Sequence, residues 1–362
     1  MKIKLERRAE PSRIMQYMSP LIAVGLTGVV GLCLFIGMGK NPASAFYVFT
    51  VQPIENLYGV GELLIKASPL ILIALGLAIG FRANVWNIGA EGQLTIGVIF
   101  SGAVALHYGP QGGYWVLPAM LPAGAFGGIV WAAIPAFLRT RFNANEILTS
   151  LMLTYVAQLW LSYLIYGPWR DPAGFNFPQS EPLAPNAMLP ILIDGTRLNA
   201  GVLITLAAAV LTWFILKRSF VGYQLQVSGL SEAAARYAGF KSSRAVWIGM
   251  LAGGASAFVA AVGGNAGPLG HLFPTASPGY GFAAIIVAFL GRLQPVGIVL
   301  GGLLISLLYL SGEAAQMSLN LPSAITGLFQ GVLLFFLLGA DVLITYRVRV
   351  ISETPVLKKV AA

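Results

Sequence analysis

Long apolar runs recur along almost the whole chain, and they constrain its fold more than any other feature. Of the 362 residues, 57% are hydrophobic and only 10% are charged, whereas a soluble domain is about 25% charged. So few charged side chains cannot coat a water-soluble fold of this size, but runs of about 20 apolar residues match the thickness of a bilayer. The sequence therefore predicts an all-α, polytopic transmembrane protein surrounded by lipid.

Ten apolar runs are bounded by charges, proline or glycine and are therefore candidate spans. They cover residues 19–39, 63–80, 86–107, 113–138, 145–167, 199–217, 245–266, 281–291, 295–312 and 321–345. The eighth run is too short for a straight crossing, which takes about 20 residues. It follows the breakers Gly267-Pro268, Pro274 and 277–279. We therefore expect a broken or re-entrant element there, covered by protein or by a water-filled cavity.

The distribution of basic residues predicts the orientation in the membrane. With ten alternating spans and a cytoplasmic N-terminus, only Lys40, Lys66, Arg170 and Arg197 fall outside, and the other 18 of the 22 Lys and Arg residues fall in cytoplasmic segments. Cytoplasmic loops of membrane proteins carry such an excess of positive charge. Both termini are therefore predicted to be cytoplasmic.

This topology divides the chain into an arm over 1–18, a transmembrane domain over 19–345 and a tail over 346–362, with both arm and tail cytoplasmic. Within the transmembrane domain, the proline-rich segment 168–198 is predicted to be an ordered extracytoplasmic loop or cap. The segment 217–245 is the longest internal cytoplasmic loop.

Composition also excludes several classes of protein. The net charge of +9 would indicate nucleic-acid binding in a soluble protein, but the basic residues lie between apolar runs, so no nucleic acid is expected. With a single cysteine, Cys33, and two distant histidines, neither a disulfide nor a metal site is predicted. The apolar run 20–39 is longer than the core of about 7–15 residues in a signal peptide, so we expect it to be a retained span.

A short helix is predicted in the loop 217–245. Residues 229–239 are rich in alanine, and Gly239 is a natural stop. Glu232 precedes Arg236 by four residues, which is the favourable order for a helical ion pair. The apolar edge of this helix comprises Leu230, Ala233 or Ala234, and Tyr237. A two-turn helix is marginal alone, so it either lies on its own membrane domain or docks on a cytoplasmic partner.

Four segments carry a resemblance to a known family. Residues 81–93 (FRANVWNIGAEGQ), 145–153 (NEILTSLML) and 279–285 (GYGFAAI) are similar to segments of the permease subunits of bacterial ATP-binding-cassette (ABC) importers, in the nucleoside and simple-sugar branch. Glu232-Ala233-Ala234, with Gly239 downstream, resembles the family's coupling signature. The resemblance covers the chain from about residue 60 to about residue 340.

The resemblance implies a transport function in a bacterial cell membrane. Two permease chains would form the pathway, and the long N-terminal arm, which resembles the larger of two paired permeases, favours a heterodimer. Two cytoplasmic ATP-binding subunits would bind the coupling helices, and an extracytoplasmic solute-binding protein would deliver a nucleoside or a related simple sugar. The chain lacks a Gly-x-x-x-x-Gly-Lys-Ser/Thr motif, so ATP is expected on the partner subunits and no cofactor in this chain. The sequence contains no nucleophile–base pattern of the kind that would predict an enzyme.

A polar stretch between two apolar runs contains Asn87, Glu91 and Gln93. A carboxylate at the bilayer centre costs about 2.5–3.5 kcal/mol, so Glu91 must face protein or water. Two interpretations stay open: Glu91 belongs to the solute pathway, or it caps a helix start near the cytoplasmic interface, which Arg82 places close by. Capping is favoured for Asn145-Glu146 at the start of the fifth span.

Aromatic and amide side chains near the broken segments are candidates for the pathway. A nucleoside base or a sugar ring needs flat faces, which Trp86, Phe273, Tyr280 and Phe282 offer. Tyr155 and Gln158 are three residues apart on the fifth span and so lie on similar faces. For the aromatic residues, packing in the core or at the lipid interface is the alternative.

A self-sufficient secondary transporter or channel is the rival function. It would need coupling charges or a pore within one chain, yet Glu91 and Asp341 are the acidic residues clearly inside apolar runs. A weak similarity between residues 86–109 and 281–311 indicates an internal repeat, which suits either class of transporter.

Overall fold

The computed structural model describes residues 2–351, apart from residues 9, 11, 265–269 and 276. Helices dominate this part of the chain. In chain order they are α1 (Arg13–Gly37), α2 (Pro42–Thr50), α3 (Leu57–Arg82), α4 (Ala90–Tyr108), α5 (Val116–Phe142), α6 (Glu146–Tyr166), α7 (Gly201–Arg218), α8 (Phe220–Leu230), α9 (Glu232–Tyr237), α10 (Ser242–Gly264), α11 (Tyr280–Leu290), α12 (Pro295–Leu319) and α13 (Ala324–Thr345). Two strands are present as well, β1 (Lys2–Arg7) and β2 (Tyr346–Ile351).

Each of the ten predicted apolar runs lies on a helix, which confirms the polytopic helical fold. Among the described residues, seven helices are long and apolar enough to cross a membrane by length and composition: α1, α3, α5, α6, α7, α12 and α13. Part of the predicted organisation lies outside the described residues, namely the end of the seventh run at 265–266 and the predicted tail from residue 352 onward.

The eighth predicted run is a half-length helix that follows a segment without regular secondary structure in its described residues. α11 has 11 residues and is therefore about 16 Å long, roughly half the thickness of the hydrocarbon layer. The helix is preceded by Gly279, whose φ of +88° is accessible to glycine without steric cost. Two described residues before it contact α4: Leu272 lies beside Gly102, and Ser277 lies beside Glu91. Protein thus covers the irregular chain at these two residues, as irregular backbone at membrane depth requires.

The helix α3 is the central element of the unit formed by residues 48–314. In its most apolar stretch, 83% of the residues are buried, which explains why the helix is apolar on all sides. The backbones of α3 and α10 touch, because a Cβ on Gly249 would lie 2.8 Å from the Cα of Gly80. In α6 and α7 the corresponding stretches are only 22% buried, so these two helices are peripheral.

The described residues before 48 and after 314 belong to a second compact unit. Within it, α1 packs against α13, where the ring of Phe329 lies over Gly31. The hydroxyl of Ser19 donates a hydrogen bond of 2.8 Å to the carboxylate of Asp341. Asp341, which the sequence places inside an apolar run, is therefore bonded to the facing helix.

The strands β1 and β2 of this second unit form an antiparallel sheet that places Lys2 opposite Ile351. Glu6 and Arg347 form an ion pair of 2.9 Å across it. This sheet was not predicted from the sequence, and the pairing of its two strands joins segments far apart in the chain.

The proline-rich segment 168–198 is ordered, as predicted, and packs onto the ends of α4 and α5. The side-chain amide of Asn186 donates a hydrogen bond of 3.0 Å to the backbone carbonyl of Gly109. The apolar side chains buried at this contact are Leu183, Ala187, Leu189, Ala105, Val116 and Met120.

The loop 217–245 contains two short helices rather than one. The predicted helix is α9, which covers Glu232–Tyr237. The helix α8 precedes it over Phe220–Leu230 and was not predicted. Ser231 separates the two helices and accepts a hydrogen bond from the backbone N–H of Ala234, so it acts as the N-cap of α9.

Candidate functional site

The N-termini of α4 and α11 meet inside the protein, and the carboxylate of Glu91 lies between them. Glu91 is only 2% exposed. Its Oε2 accepts a hydrogen bond of 2.6 Å from the backbone N–H of Gly281, and its Oε1 accepts one of 2.5 Å from the hydroxyl of Ser277. The first turn of a helix leaves N–H groups free and is electropositive. Glu91 therefore caps α11 from 190 residues away while it lies in the first turn of α4.

Two small residues make this junction possible. A Cβ on Gly281 would lie 2.6 Å from the Cα of Glu91, so no side chain fits there. The hydroxyl oxygen of Ser277 also accepts hydrogen bonds from the backbone N–H groups of Gly279 and Tyr280, at 3.2 and 3.1 Å. Ser277 thus satisfies further free N–H groups at the start of α11.

Asn87 and Gln93 form a closed pair next to this junction. The amide of each donates a hydrogen bond to the carbonyl oxygen of the other, at 2.9 and 3.0 Å. The carbonyl oxygen of Asn87 also accepts a hydrogen bond from the backbone N–H of Gly89. Both side chains are at most 1% exposed. In this conformation they hold the irregular chain before α4.

Trp86 packs in an aromatic cluster at the same level. Its ring lies 5.2 Å from that of Phe81 and 5.8 Å from that of Phe289 of α11, measured between ring centroids. The indole N–H donates a hydrogen bond of 2.9 Å to the side-chain oxygen of Asn84. The ring of Trp86 therefore joins the chain before α4 to the far end of α11.

The structure distributes the other pathway candidates over separate surfaces. Tyr280 contacts Tyr309 of α12 edge to face, with ring centroids 5.4 Å apart. Phe273 contacts Phe177 of the segment 168–198. Phe282 is 37% exposed.

The side chain of Tyr155 faces outward from α6. It is 54% exposed and belongs to a stripe of exposed side chains that repeats every three or four residues. The other members of the stripe are Leu148, Met152, Leu159, Tyr163 and Tyr166. Gln158, on the same helix, is half-buried.

A charged cluster between α3 and α12 was not predicted from the sequence. Lys66 donates a hydrogen bond of 2.7 Å to Glu313, and Arg197 lies 3.6 Å from Glu62. Lys66 lies within α3, although the charge distribution assigned it to the outside. Glu62 and Lys66 are four residues apart on one helix face, which was the available signal. The partner Glu313 could not be identified from sequence because it is 247 residues away.

At the N-terminus of α6, the predicted capping is confirmed. The side-chain oxygen of Asn145 accepts hydrogen bonds from the backbone N–H groups of Ile147 and Leu148. Glu146 pairs with Arg139 of α5 and accepts a hydrogen bond of 3.4 Å from the backbone N–H of Trp86. Glu146 thus holds the chain before α4 against α5.

The predicted apolar edge around α9 is exposed. Leu230 is 80% exposed and Tyr237 is 97% exposed, whereas Ala235 is fully buried. Ala233 and Ala234 lie on the exposed side as well. The helix stops at Gly239, whose φ is +79°, as the sequence predicts.

The predicted ion pair on α9 is present. Glu232 and Arg236 are 2.7 Å apart. The hydrogen bond from Arg236 holds the pKa of Glu232 below its usual value. Both side chains are largely exposed, so the pair contributes little to the stability of the fold.

Two contacts connect this loop with the turn that follows α11. The Cα of Gly229 packs directly on the carbonyl of Arg82, and a Cβ at residue 229 would clash with that carbonyl. The guanidinium of Arg82 donates a hydrogen bond of 3.1 Å to the carbonyl of Leu293, in the turn after α11. Residues 229, 82 and 293 therefore form a continuous contact from the exposed loop to the half-length helix.

Comparison with known proteins identifies the family. The model of the branched-chain amino acid transport system / permease component family matches residues 59–338, which include the Glu91 junction and the loop 217–245. The chain belongs to this family. The permease is therefore a multi-pass membrane protein of a transport system.

Several relatives align with the permease over most of both chains. It is 33% identical to the glucose ABC transporter permease protein TsgB13 of Haloferax volcanii, over 96% of this chain and 93% of that one. It is 30% identical to the guanosine ABC transporter permease protein NupP of Bacillus subtilis, over 90% of this chain and 93% of that one. It is 27% identical to the nucleoside ABC transporter permease protein NupB of Lactococcus lactis, over 88% of this chain and 89% of that one.

Proposed function

We propose that this permease forms the translocation pathway of an ATP-driven importer for nucleosides or related simple sugars. The observation that carries the proposal is the near full-length similarity to permeases named for glucose, guanosine and nucleosides. ATP-binding subunits in the cytoplasm and an extracytoplasmic solute-binding protein complete the system. A second, non-identical permease chain forms the other half of the pathway.

The residues around α9 are the proposed docking element for an ATP-binding subunit. A two-turn helix gains stability by docking, and Leu230 and Tyr237 expose apolar area that the permease alone leaves in water. Closure of the ATP-binding subunits would push on residues 229–244. The contacts of Gly229 with Arg82, and of Arg82 with Leu293, transmit this displacement to α11.

Within the pathway, we assign different roles to the exposed and the buried candidates. Tyr155 and Phe282 are exposed and contact the solute or the second permease chain. Gln158, Phe273 and Tyr280 are assigned to the pathway as well. Trp86, Asn87, Glu91 and Gln93 are packed or hydrogen-bonded inside the chain. They position α4 and α11, and movement of α11 changes the width of the pathway.

The proposed orientation places the loop 217–245 and both termini in the cytoplasm. Single cysteines replacing Asp194 and Lys241, in a Cys33→Ala background, test it because both positions are exposed. A membrane-impermeant thiol reagent applied to intact cells should label the cysteine at 194 alone. Labelling at 241 but not at 194 would reverse the orientation.

Solute uptake tests the proposed function directly. Cells with and without the gene for this chain are given labelled guanosine, uridine, ribose and glucose in separate experiments. We expect uptake of at least one of these solutes to depend on the chain and on ATP. Uptake of all four that is independent of the chain would contradict the proposal, and dependence for ribose or glucose alone would assign the permease to the sugar group.

A further inference from the structure

A cavity of about 580 Å³ opens at the end of α4 that is remote from Glu91. Its walls come from the last turns of α4 and from residues 168–181. The volume lies within the range of about 300–1,000 Å³ that is usual for small-molecule sites. None of the pathway candidates considered above lines it.

Two charged side chains line the cavity and can form hydrogen bonds with a ligand. Arg170 and Glu181 are both exposed, and in the described part of the chain neither side chain has an ion-pair or hydrogen-bond partner. Their backbones are held near each other because Arg170 forms an isolated β-bridge with Ser180, the residue before Glu181. A guanidinium donates hydrogen bonds and a carboxylate accepts them, so the two together complement a solute with several hydroxyl groups.

Trp169 supplies an aromatic wall next to these charges. Its ring lies on α4, with Cζ3 3.6 Å from where a Cβ on Gly102 would be. Tyr108 and His107 are also in the wall, and their ring centroids are 4.7 Å apart. An indole face stacks on a nucleobase or on the apolar face of a sugar ring.

A buried network fixes the position of these walls. Ser180 is fully buried. Its hydroxyl donates a hydrogen bond of 2.8 Å to the carbonyl of Glu181 and accepts one of 2.9 Å from the backbone N–H of Leu272. His271 contacts the carbonyl of Ser180 at 3.0 Å. These hydrogen bonds fix the backbone that carries the charged residues, which lowers the entropic cost of ordering them on binding.

We propose that this cavity is a reception site for a ring-bearing polyol, the chemistry shared by the ribose of a nucleoside and by a hexose. The carboxylate of Glu181 accepts hydrogen bonds from neighbouring hydroxyls, Arg170 donates to a hydroxyl or carbonyl oxygen, and Trp169 stacks on the ring. The site would receive the solute before it enters the pathway. This inference rests on the proposed function, since it takes its solute class from there.

Direct binding tests the site without the solute-binding protein. The permease, its second permease chain and the ATP-binding subunits are reconstituted in nanodiscs, and equilibrium binding of radiolabelled guanosine and of radiolabelled glucose is measured in separate arms. Glu181→Gln, Arg170→Gln and Trp169→Leu remove one contact each. We expect each to weaken binding by about tenfold, the effect of one charge-assisted hydrogen bond or one stacked ring.

Two variants on the same side of the protein serve as matched controls. Asp194→Asn removes an exposed carboxylate outside the cavity, and Tyr114→Leu removes an exposed aromatic ring. Both should bind the probe as the wild type does. Wild-type affinity in all three cavity variants, or no binding of either probe to the wild type, would overturn the inference.

The uptake experiment separates this inference from the proposed function. Chain-dependent uptake together with unimpaired binding in the cavity variants refutes the reception site alone. If binding in nanodiscs depends on Glu181 and Trp169 while cells show no chain-dependent uptake of any of the solutes, the site is supported and the transport function is refuted. The arm that binds, guanosine or glucose, identifies the solute group.

Discussion

The buried carboxylate of Glu91 gives the sharpest prediction on structure, because its two hydrogen bonds join α4 to α11. Glu91→Met keeps a similar, unbranched volume and removes both acceptor oxygens, which leaves the N–H of Gly281 and the hydroxyl of Ser277 without their partner. Each buried donor left unpaired costs about 1–3 kcal/mol. We therefore expect Glu91→Met to destabilise the start of α11 by about 2–6 kcal/mol.

Glu91→Gln should have a smaller effect than Glu91→Met. The amide carbonyl of glutamine still accepts a hydrogen bond from Gly281, and its NH₂ group replaces an acceptor by a donor beside Ser277. One charge-assisted hydrogen bond is lost, which is worth about 1.5–3 kcal/mol. The predicted order of stability at this junction is thus wild type, then Gln, then Met.

Hydrogen–deuterium exchange at the backbone amides of residues 279–283 measures this order, because exchange reports local opening. A loss of about 2 kcal/mol speeds exchange by about 30-fold. Asp194→Asn is the matched control, since that carboxylate is exposed, and should leave exchange at these amides unchanged. Equal exchange rates in wild type, Gln and Met would refute the reasoning that Glu91 caps α11.

Three further predictions follow from contacts between the helices and from the loop 217–245. Gly249→Val places a side chain against the Cα of Gly80 and should lower the free energy of unfolding by about 1–3 kcal/mol. The measurement is the thermal unfolding temperature in detergent, and the control is Gly327→Ala, where no atom lies near the added methyl group. Arg82→Met removes the hydrogen bond to Leu293 and should reduce ATP-driven uptake while ATP hydrolysis and membrane insertion persist; equal uptake would exclude a role in transmission. Gly239→Ala forces alanine into a φ of +79° and should destabilise the end of α9 by about 1 kcal/mol. The expected result is weaker co-purification of the ATP-binding subunit, and unchanged co-purification would show that the end of α9 does not matter for docking.

Local sequence patterns were sufficient to predict the apolar helices and the short helix α9. Each of the ten apolar runs lies on a helix, because burial in lipid requires continuous apolar sequence. The helix α2 was not predicted. The breakers before residue 280 predicted the half-length helix α11, and Gly239 predicted the end of α9. The helix α8 was missed because its sequence, FVGYQLQVSGL, mixes polar and apolar residues without a clear period.

Contacts between distant residues could not be predicted in this way. Glu91 was recognised as a residue that must be covered, but its partner Gly281 is 190 residues away, and one sequence holds no information on that pairing. The same holds for Lys66 and Glu313. The sheet of β1 and β2 is different, since both segments alternate polar and apolar residues in part, as KIKLER and YRVRVI show. That alternation was a usable signal.

Coupling of the exposed edge around α9 to ATP hydrolysis is the central claim, and one substitution tests it. Ala234→Glu places a charge on this edge, and Gln111→Glu places the same charge on an exposed position far from it in sequence. Solute-stimulated ATP hydrolysis by the reconstituted complex is measured together with co-purification of the ATP-binding subunit. The proposal predicts that Ala234→Glu loses both and that Gln111→Glu keeps both. Full stimulation and full co-purification with Ala234→Glu would contradict it.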